Sequence, residues 1–202
     1  MKAVALLSSG IDSPVAVYLM LRKGLEVIPV HFRQDPVKEE KVLELWEILR
    51  KYGRLQEPIT VDFSEEHVPV FEKLRELGKE GWTCVFCKWL MIKKACELGH
   101  EGGAKVIVTG DSLGQVASQT LDNLLIISTA SDLPILRPLI GLDKEEIVSI
   151  AGEIGTFEIS SRKEPPCPFT PKYPIVRGFI RKFEKLAEML QLFPQSFVHS
   201  TE

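Results

Sequence analysis

The chain has 202 residues, 45% of them hydrophobic and 26% charged, with a net charge of −3. That length suits one domain, or one domain with a small appendage, and it buries roughly 70% of the unfolded surface without help from disulfides. The mild acidity excludes a uniformly basic, nucleic-acid-coating protein while leaving room for a local basic patch. The longest apolar stretches, such as 3–7 and 124–127, fall far short of the ~18 residues a spanning helix needs. The N-terminal apolar run is too short for a signal peptide, so no membrane association and a cytoplasmic location are expected. In a reducing compartment the cysteines, Cys84, Cys87, Cys96 and Cys167, are free thiols, metal ligands or redox catalysts rather than bridges.

Taken in chain order, the pattern alternates strand and helix. An apolar run at 2–7 ends in Ser-Ser-Gly-Ile-Asp-Ser, a buried strand with its turn, and helical spacing at 14–22 is stopped by Gly24. A second strand is predicted at 26–32, then an amphipathic helix over 37–52 with Val42, Leu45, Trp46 and Leu49 on one face. A third strand at 58–63 leads to a helix over 68–77, a break at 78–82 and a helix over 84–98 ended by Gly99. A fourth strand is predicted at 104–109, a helix at about 116–123 and a short fifth strand within 134–139. Asp143 caps a helix running to 154, with Glu146 as capping-box partner. Residues 156–173 read as irregular and proline-rich, 175–190 as a last amphipathic helix, and the tail after Leu192 as loose. Strands separated by helices imply an α/β fold: a doubly wound, mainly parallel, five-stranded sheet with helices on both faces. The domain expected is 1–174, with a C-terminal helix and tail, 175–202, packed on or beside it.

The turn at 8–13 lies where the first strand meets the first helix. A helix N-terminus there offers unsatisfied N–H groups and partial positive charge to a phosphate. Ser8, Ser9 and Ser13 add hydroxyls, Gly10 lets the backbone approach, and the carboxylate of Asp12 suits a Mg²⁺ ligand or a cap. The same residues would also make a simple glycine turn with a capped helix. The loop has no lysine, so it is neither the ordinary nucleotide-hydrolase loop nor a dinucleotide fingerprint.

The Ser-x-Gly-x-Asp-Ser pattern resembles the pyrophosphate loop of the N-type ATP pyrophosphatases, which adenylate a substrate and release pyrophosphate. Four segments resemble, more specifically, the adenylating domain of the tRNA 4-thiouridine synthetases: LLSSGIDSPVA (6–16), VTGDSLGQVASQTLDNL (108–124), ILRPLIGLDKEEI (135–147), and IGT (154–156) followed by Cys167. Ser9 stands where that family usually has a second glycine. The resemblance implies an adenine nucleotide alpha hydrolase-like fold and an ATP-dependent sulfurtransferase that adenylates a carbonyl oxygen, that of tRNA uridine, and replaces it with sulfur. It implies that Leu6, Leu7, Ser8, Ser9, Gly10, Asp12 and Ser13 surround the ATP phosphates and that His31 and Phe32 contact adenine or ribose. Lys88, Gly110 and Gln119 match nucleotide-contacting positions. Asp12 and Lys144 match positions needed for adenylation, where Lys144 offsets charge developing on the α-phosphate. Cys167 matches the catalytic cysteine in order and spacing.

Cys84 and Cys87 form a CxxC at the start of a helix, on one face, near an N-terminus that favours thiolates. Cys96 points to the opposite face and reads as a buried apolar residue. Cys167, held between prolines in EPPCPFTP, reads as a placed nucleophile or ligand. In some members of the resembled family the later cysteine carries a persulfide supplied by an attached rhodanese domain, which this sequence lacks. In others, mainly archaeal, a CxxC and the later cysteine hold an iron–sulfur cluster; this sequence fits that type, and the resemblance implies that Cys84, Cys87 and Cys167 hold a 4Fe–4S cluster with one iron open to sulfide. Redox or persulfide thiols and zinc remain alternatives, although a closed zinc site wants four ligands. The sulfur would come from a donor protein or from sulfide.

That family also carries an RNA-binding region ahead of the adenylating domain, whereas this sequence starts at the first strand. The expectation is a stand-alone form served by a separate RNA-binding subunit. Residues 162–185 hold seven cations, Arg162, Lys163, Lys172, Arg177, Arg181, Lys182 and Lys185, against Glu164 and Glu184, a patch that could steer a phosphate backbone or simply be a solvated face. A nucleotide-binding module without RNA recognition of its own, or thiolation of a small molecule or carrier protein, are the alternative functions.

Overall fold

Each predicted apolar run becomes a strand, and every connection between strands passes through a helix. In the computed structural model, which describes residues 1–192, the strands are β1 (Lys2–Leu6), β2 (Glu26–Arg33), β3 (Ile59–Asp62), β4 (Val106–Val108) and β5 (Ile135–Leu136). The helices are α1 (Asp12–Arg22), α2 (Pro36–Leu49), α3 (Phe63–Glu76), α4 (Thr83–Gly102), α5 (Leu121–Ser128), α6 (Lys144–Glu153), α7 (Phe157–Ser160) and α8 (Ile180–Met189). All strand pairings are parallel, in the order β3-β2-β1-β4-β5. The chain winds outward from β1 to β3, then places β4 and β5 on the other side of β1. The reversal therefore falls between β1 and β4, where a doubly wound sheet opens a crevice at its carboxyl ends.

Side chains alternate across the sheet and separate two cores. Val4 joins Phe71 and Leu74 of α3, Phe86, Trp89 and Ile92 of α4, Ile126 and Ile127 of α5, and Phe183 of α8. Its neighbours Ala3 and Ala5 face the other way, onto Val15 and Val17 of α1, Val42 and Leu49 of α2, and Ile147 and Ala151 of α6. The small residues of β1 let α1 lie close over the sheet, which sets the position of the turn before it. Among the described residues no helix is long and apolar enough to cross a membrane.

Element boundaries differ from the predicted ones where side chains override periodicity. α3 starts at Phe63, five residues early, because Asp62 accepts from the Ser64 backbone N–H (2.8 Å) and hydroxyl (2.6 Å), and the helix tolerates Pro69 inside it. α4 runs past Gly99 to Gly102 and stops at left-handed Gly103 (φ 71°). Gly99 is a packing glycine instead: a Cβ there would lie 3.0 Å from Val4 and 3.1 Å from Leu133. The helix predicted at 116–123 is a short 3₁₀ turn, 117–119, followed by α5, whose first turn Thr120 caps through the Asn123 N–H. The last helix begins at Ile180 rather than 175, because Asn123 holds the preceding segment extended: its amide donates to the Ile175 carbonyl (2.9 Å) and accepts from the Gly178 N–H (3.0 Å). The segment read as irregular contains α7. The tail predicted after Leu192, and with it most of the non-helical part of 175–202, lies outside the described residues.

Candidate nucleotide and sulfur site

The carboxyl ends of β1, β2 and β4 open into a cavity of ≈ 360 Å³ at the switch point. Of the residues expected around a nucleotide, Leu6, Leu7, Ser8, Ser9, Gly10, Ser13, His31, Phe32, Lys88 and Gly110 all line it. Asp12, Gln119 and Lys144 do not; they stand at its edge or behind its wall.

The floor is the turn after β1. Ser13 Oγ accepts from the Ser8 N–H (2.8 Å), meets the Ser8 hydroxyl at 3.0 Å and can donate to the Ser8 carbonyl (3.2 Å). These contacts fold the turn on itself. No side chain caps α1, so the N–H groups of its first turn remain available to anionic oxygens. Ser9 is buried, and its hydroxyl bonds to Glu164, a contact that a glycine at this position would lack. Gly110 closes the floor from β4. A Cβ on it would lie 2.8 Å from the Ser13 backbone N and Cα, so only glycine allows the two segments to approach this closely.

The walls carry charge. Lys88 Nζ pairs with Asp111 Oδ1 at 2.6 Å, and Thr109 donates to Asp111 Oδ2 at 2.8 Å. Arg137 Nε approaches Asp111 at 3.4 Å. Burial opposes the Asp111 charge, but Lys88, Thr109 and Arg137 outweigh it and hold its carboxyl below the usual range. Gln119 is buried and reaches the cavity only through Asp111, 3.5 Å away, with its own Oε1 unpartnered. It positions the aspartate. At the other wall, His31 Nδ1 donates to the Leu7 carbonyl (3.2 Å), which leaves Nε2 a buried, unpartnered acceptor. Burial keeps this imidazole neutral by lowering its pKa.

Lys144 and Asp12 pair at 2.6 Å outside the cavity lining. Lys144 is the first residue of α6, directly after Asp143, the N-cap of a capping box that Glu146 completes. A cation disfavours a helix N-terminus; the Asp12 carboxylate, itself in the first turn of α1, offsets that.

The sulfur side begins beside Lys88. Cys84 and Cys87 lie on the first turn of α4, and Cys167 comes to them from the proline-rich segment. The three thiols sense one another. Burial first, then the Cys167 charge, pushes Cys84 up; burial, Cys167 and Cys84 push Cys87 up, with Lys88 working against both. Cys96 stands apart, as expected, but it is not simply an apolar residue: its thiol donates to Asp132 (3.0 Å). The Cys167 segment is tied down by Lys41. This buried ammonium donates to the carbonyls of Ser160 (3.0 Å) and Arg162 (3.1 Å) and to Glu164 (2.6 Å), three residues before the cysteine.

Sequence reasoning missed Asp111, Arg137, Lys41 and Glu164. Asp111 lies inside VTGDSLGQVASQTLDNL (108–124), directly after Gly110, and Arg137 inside ILRPLIGLDKEEI (135–147), so both segments carried a signal; Lys41 and Glu164 have none within their own stretch of chain. Much of the basic patch is already engaged. Arg162 pairs with Glu44 (2.6 Å), Arg177 approaches Asp122 (3.4 Å), Lys172 lies over Tyr173 and Lys182 over Trp82.

A parallel sheet of this order, with this turn at its switch point, places the domain in the PP-loop ATP pyrophosphatase-like fold. The chain belongs to the family described as Thiamine biosynthesis protein (ThiI), whose family model matches residues 1–192. It is 56% identical over 187 residues to a probable tRNA sulfurtransferase of Thermococcus kodakarensis, covering 92% of this chain and 49% of that protein. It is 44% identical over 191 residues to one of Methanocaldococcus jannaschii, covering 95% and 50%. A crystal structure of a 4-thiouridine synthetase–RNA complex with bound ATP superposes with a TM-score of 0.87 at 36% identity, over 94% of this chain and 50% of that one. The chain spans about half the length of the curated relatives it matches.

Proposed function

We propose that this domain uses ATP to adenylate a carbonyl oxygen of tRNA uridine and exchanges that oxygen for sulfur, releasing AMP and pyrophosphate. The observation that carries the proposal is the adjacency of a cavity and a group of thiols just outside its lining. The floor of the cavity is an uncapped helix N-terminus, and its wall at Lys88 adjoins the three thiols. The 4-thiouridine synthetase relative binds ATP and RNA, and the same ligands are assigned here. RNA contacts beyond those of residues 1–192 are assigned to an RNA-binding element outside them.

The turn at 8–13 binds the pyrophosphate portion through backbone N–H groups and serine hydroxyls. Nε2 of His31 accepts from the exocyclic amino group of adenine, which sits on Phe32. Asp12 has one oxygen on Lys144 and the other free, which suits a Mg²⁺ accompanying the phosphates; that ion would neutralise phosphate charge. The uridine carbonyl oxygen attacks the α-phosphorus, the bond to pyrophosphate breaks, and Lys144 stabilises the charge that gathers on the α-phosphate. A sulfur nucleophile then adds at the carbonyl carbon and AMP leaves with the original oxygen. The adenylation step is needed because the bare oxygen is a poor leaving group.

Cys84, Cys87 and Cys167 are assigned to hold a 4Fe–4S cluster with sulfide as the sulfur source. Their chemistry fits: burial and the neighbouring thiols push Cys84 and Cys87 up, so a compensating cation favours the thiolate form that ligates metal. Among the described residues their sulfurs are not gathered within 4.8 Å of one another, a looser grouping than the ~3.8 Å that follows from 2.3 Å bonds in tetrahedral zinc. A bound cluster supplies sulfur activation, while Cys167 and its Lys41-anchored segment set the direction of delivery. Incubation with tRNA, Mg²⁺-ATP and sulfide under anaerobic conditions should give thiolated tRNA, AMP and pyrophosphate in equal amounts. Release of ADP and phosphate, or no ATP–pyrophosphate exchange in the folded protein, overturns the proposal.

A further inference from the structure

A second grouping of ligand-type side chains lies at the far end of α4. Cys96 and His100 are four residues apart and share one face of the helix. Asp132, from the loop between α5 and β5, reaches both: its Oδ1 accepts from Cys96 Sγ at 3.0 Å and lies 2.8 Å from His100 Nε2. One ligand atom from each of the three lies within 4.8 Å of the others. They border a surface groove whose charged side chains also include Glu97 and Lys93.

We propose that Cys96, His100 and Asp132 bind one zinc-class divalent cation, at a site separate from the nucleotide cavity, and thereby tie α4 to the loop before β5. The donor set is one sulfur, one imidazole nitrogen and one carboxylate oxygen, which suits a borderline-soft ion rather than Mg²⁺ or Ca²⁺. Two ligands at i and i+4 on a helix, completed by a third from elsewhere in the chain, is an arrangement that supports tetrahedral coordination with water in the fourth position. The scaffold is already set without the ion. Gly99, between the two helical ligands, lets Leu133, the neighbour of Asp132, pack against α4 with no room for a Cβ. Ser131 fixes the loop by accepting from the Leu133 N–H (2.9 Å). On binding, the Cys96 thiol loses its proton to solvent, the His100 proton moves to Nδ1 so that Nε2 presents its lone pair, and the Asp132 oxygen exchanges two hydrogen bonds for a metal bond. No electron is transferred.

The cysteines near the nucleotide cavity are themselves assigned as metal ligands, so the test must exclude them. In a Cys84→Ser/Cys87→Ser/Cys167→Ser variant of the full chain, Cys96 is the remaining thiol. One equivalent of Co²⁺ should give a sulfur-to-cobalt charge-transfer band and tetrahedral d–d bands, both displaced by Zn²⁺ and abolished by a further Cys96→Ser. His100→Ala and Asp132→Asn should each weaken binding at least about tenfold, the lower end of what even outer-sphere partners contribute. Absence of the band in the triple variant, or unchanged affinity in His100→Ala, overturns the proposal. If the triple variant does not fold, zinc stoichiometry of the otherwise unaltered chain decides. His100→Ala/Asp132→Ala should retain one equivalent less than the parent, and equal stoichiometry overturns the proposal.

Discussion

The phosphate side of the cavity and the sulfur side that adjoins it are built by opposite routes. On the phosphate side the binding groups are neighbours in sequence, backbone N–H and hydroxyl groups of a single turn held by hydrogen bonds within it. The sulfur side is assembled from α4 and from a segment about 80 residues later, and it is held by a buried lysine on a third element, α2. A local turn needs little beyond its own chain to be formed. The thiol trio exists only when the tertiary fold is complete, and burial and the neighbouring thiols oppose the ionisation of Cys84 and Cys87.

The largest effects should separate the two sides. Cys167→Ala is expected to abolish sulfur transfer while ATP–pyrophosphate exchange with tRNA continues. Lys144→Ala should lower both by about 10²–10³-fold, the usual loss when one donor to a developing oxyanion is removed, with circular dichroism unchanged. Adenylation is read by ATP–pyrophosphate exchange and sulfur transfer by the thiolated nucleoside, on the same samples. Equal losses in the two variants would mean that the two sides do not act as separable halves.

That division also governs what was legible in the sequence. The turn at 8–13 could be read because its chemistry is contiguous with a strand end and a helix start, and Gly110 because its segment carries the family resemblance. The sheet could be read because buried parallel strands are continuous apolar runs. Lys41 could not: in sequence it is one charge among several on α2, and only the fold shows it 2% exposed and donating to three oxygens more than 100 residues away. Asp132 likewise acquires its meaning from Cys96 and His100 on another element. The misplaced start of α5 has a local cause, since the Thr120 cap outweighed a periodicity that ran continuously through 116–123.

A smaller effect concerns His67, buried beside the sulfur side. Its ring stacks on Phe63 (4.3 Å between centroids) and meets Phe32 and Phe71 edge-on, and neither ring nitrogen has a well-formed hydrogen bond. Burial lowers its pKa to about 4, with the Cys87 backbone and Glu66 working the other way. Between that value and the ordinary 6.5, the unfolded chain binds a proton that the folded chain does not. Stability from this group is therefore complete above pH 6.5 and is lost as pH falls toward 4, by about 3 kcal/mol in all. Urea unfolding at pH 7 and at pH 4.5 should show this loss in the parent and a smaller one in His67→Leu. An identical pH dependence in the two would place the acid sensitivity elsewhere.

The smallest effect tests the phosphate side by itself, through its two glycines. A Cβ on Gly110 would stand 2.8 Å from the Ser13 backbone, which cannot yield without moving the first turn of α1 away from β4. A Cβ on Gly10 would meet only the Ser8 hydroxyl, at 3.6 Å. Gly110→Ala should therefore cost about 1–3 kcal/mol of stability, the range for overpacking, and weaken ATP binding, because the displaced N–H groups are the ones assigned to the phosphates. Gly10→Ala should leave stability nearly unchanged. Thermal unfolding with and without Mg²⁺-ATP measures both quantities. If the two alanines cost the same, the turn is not held by its fit against β4, and the view that the phosphate side is fixed by close backbone packing at the switch point fails.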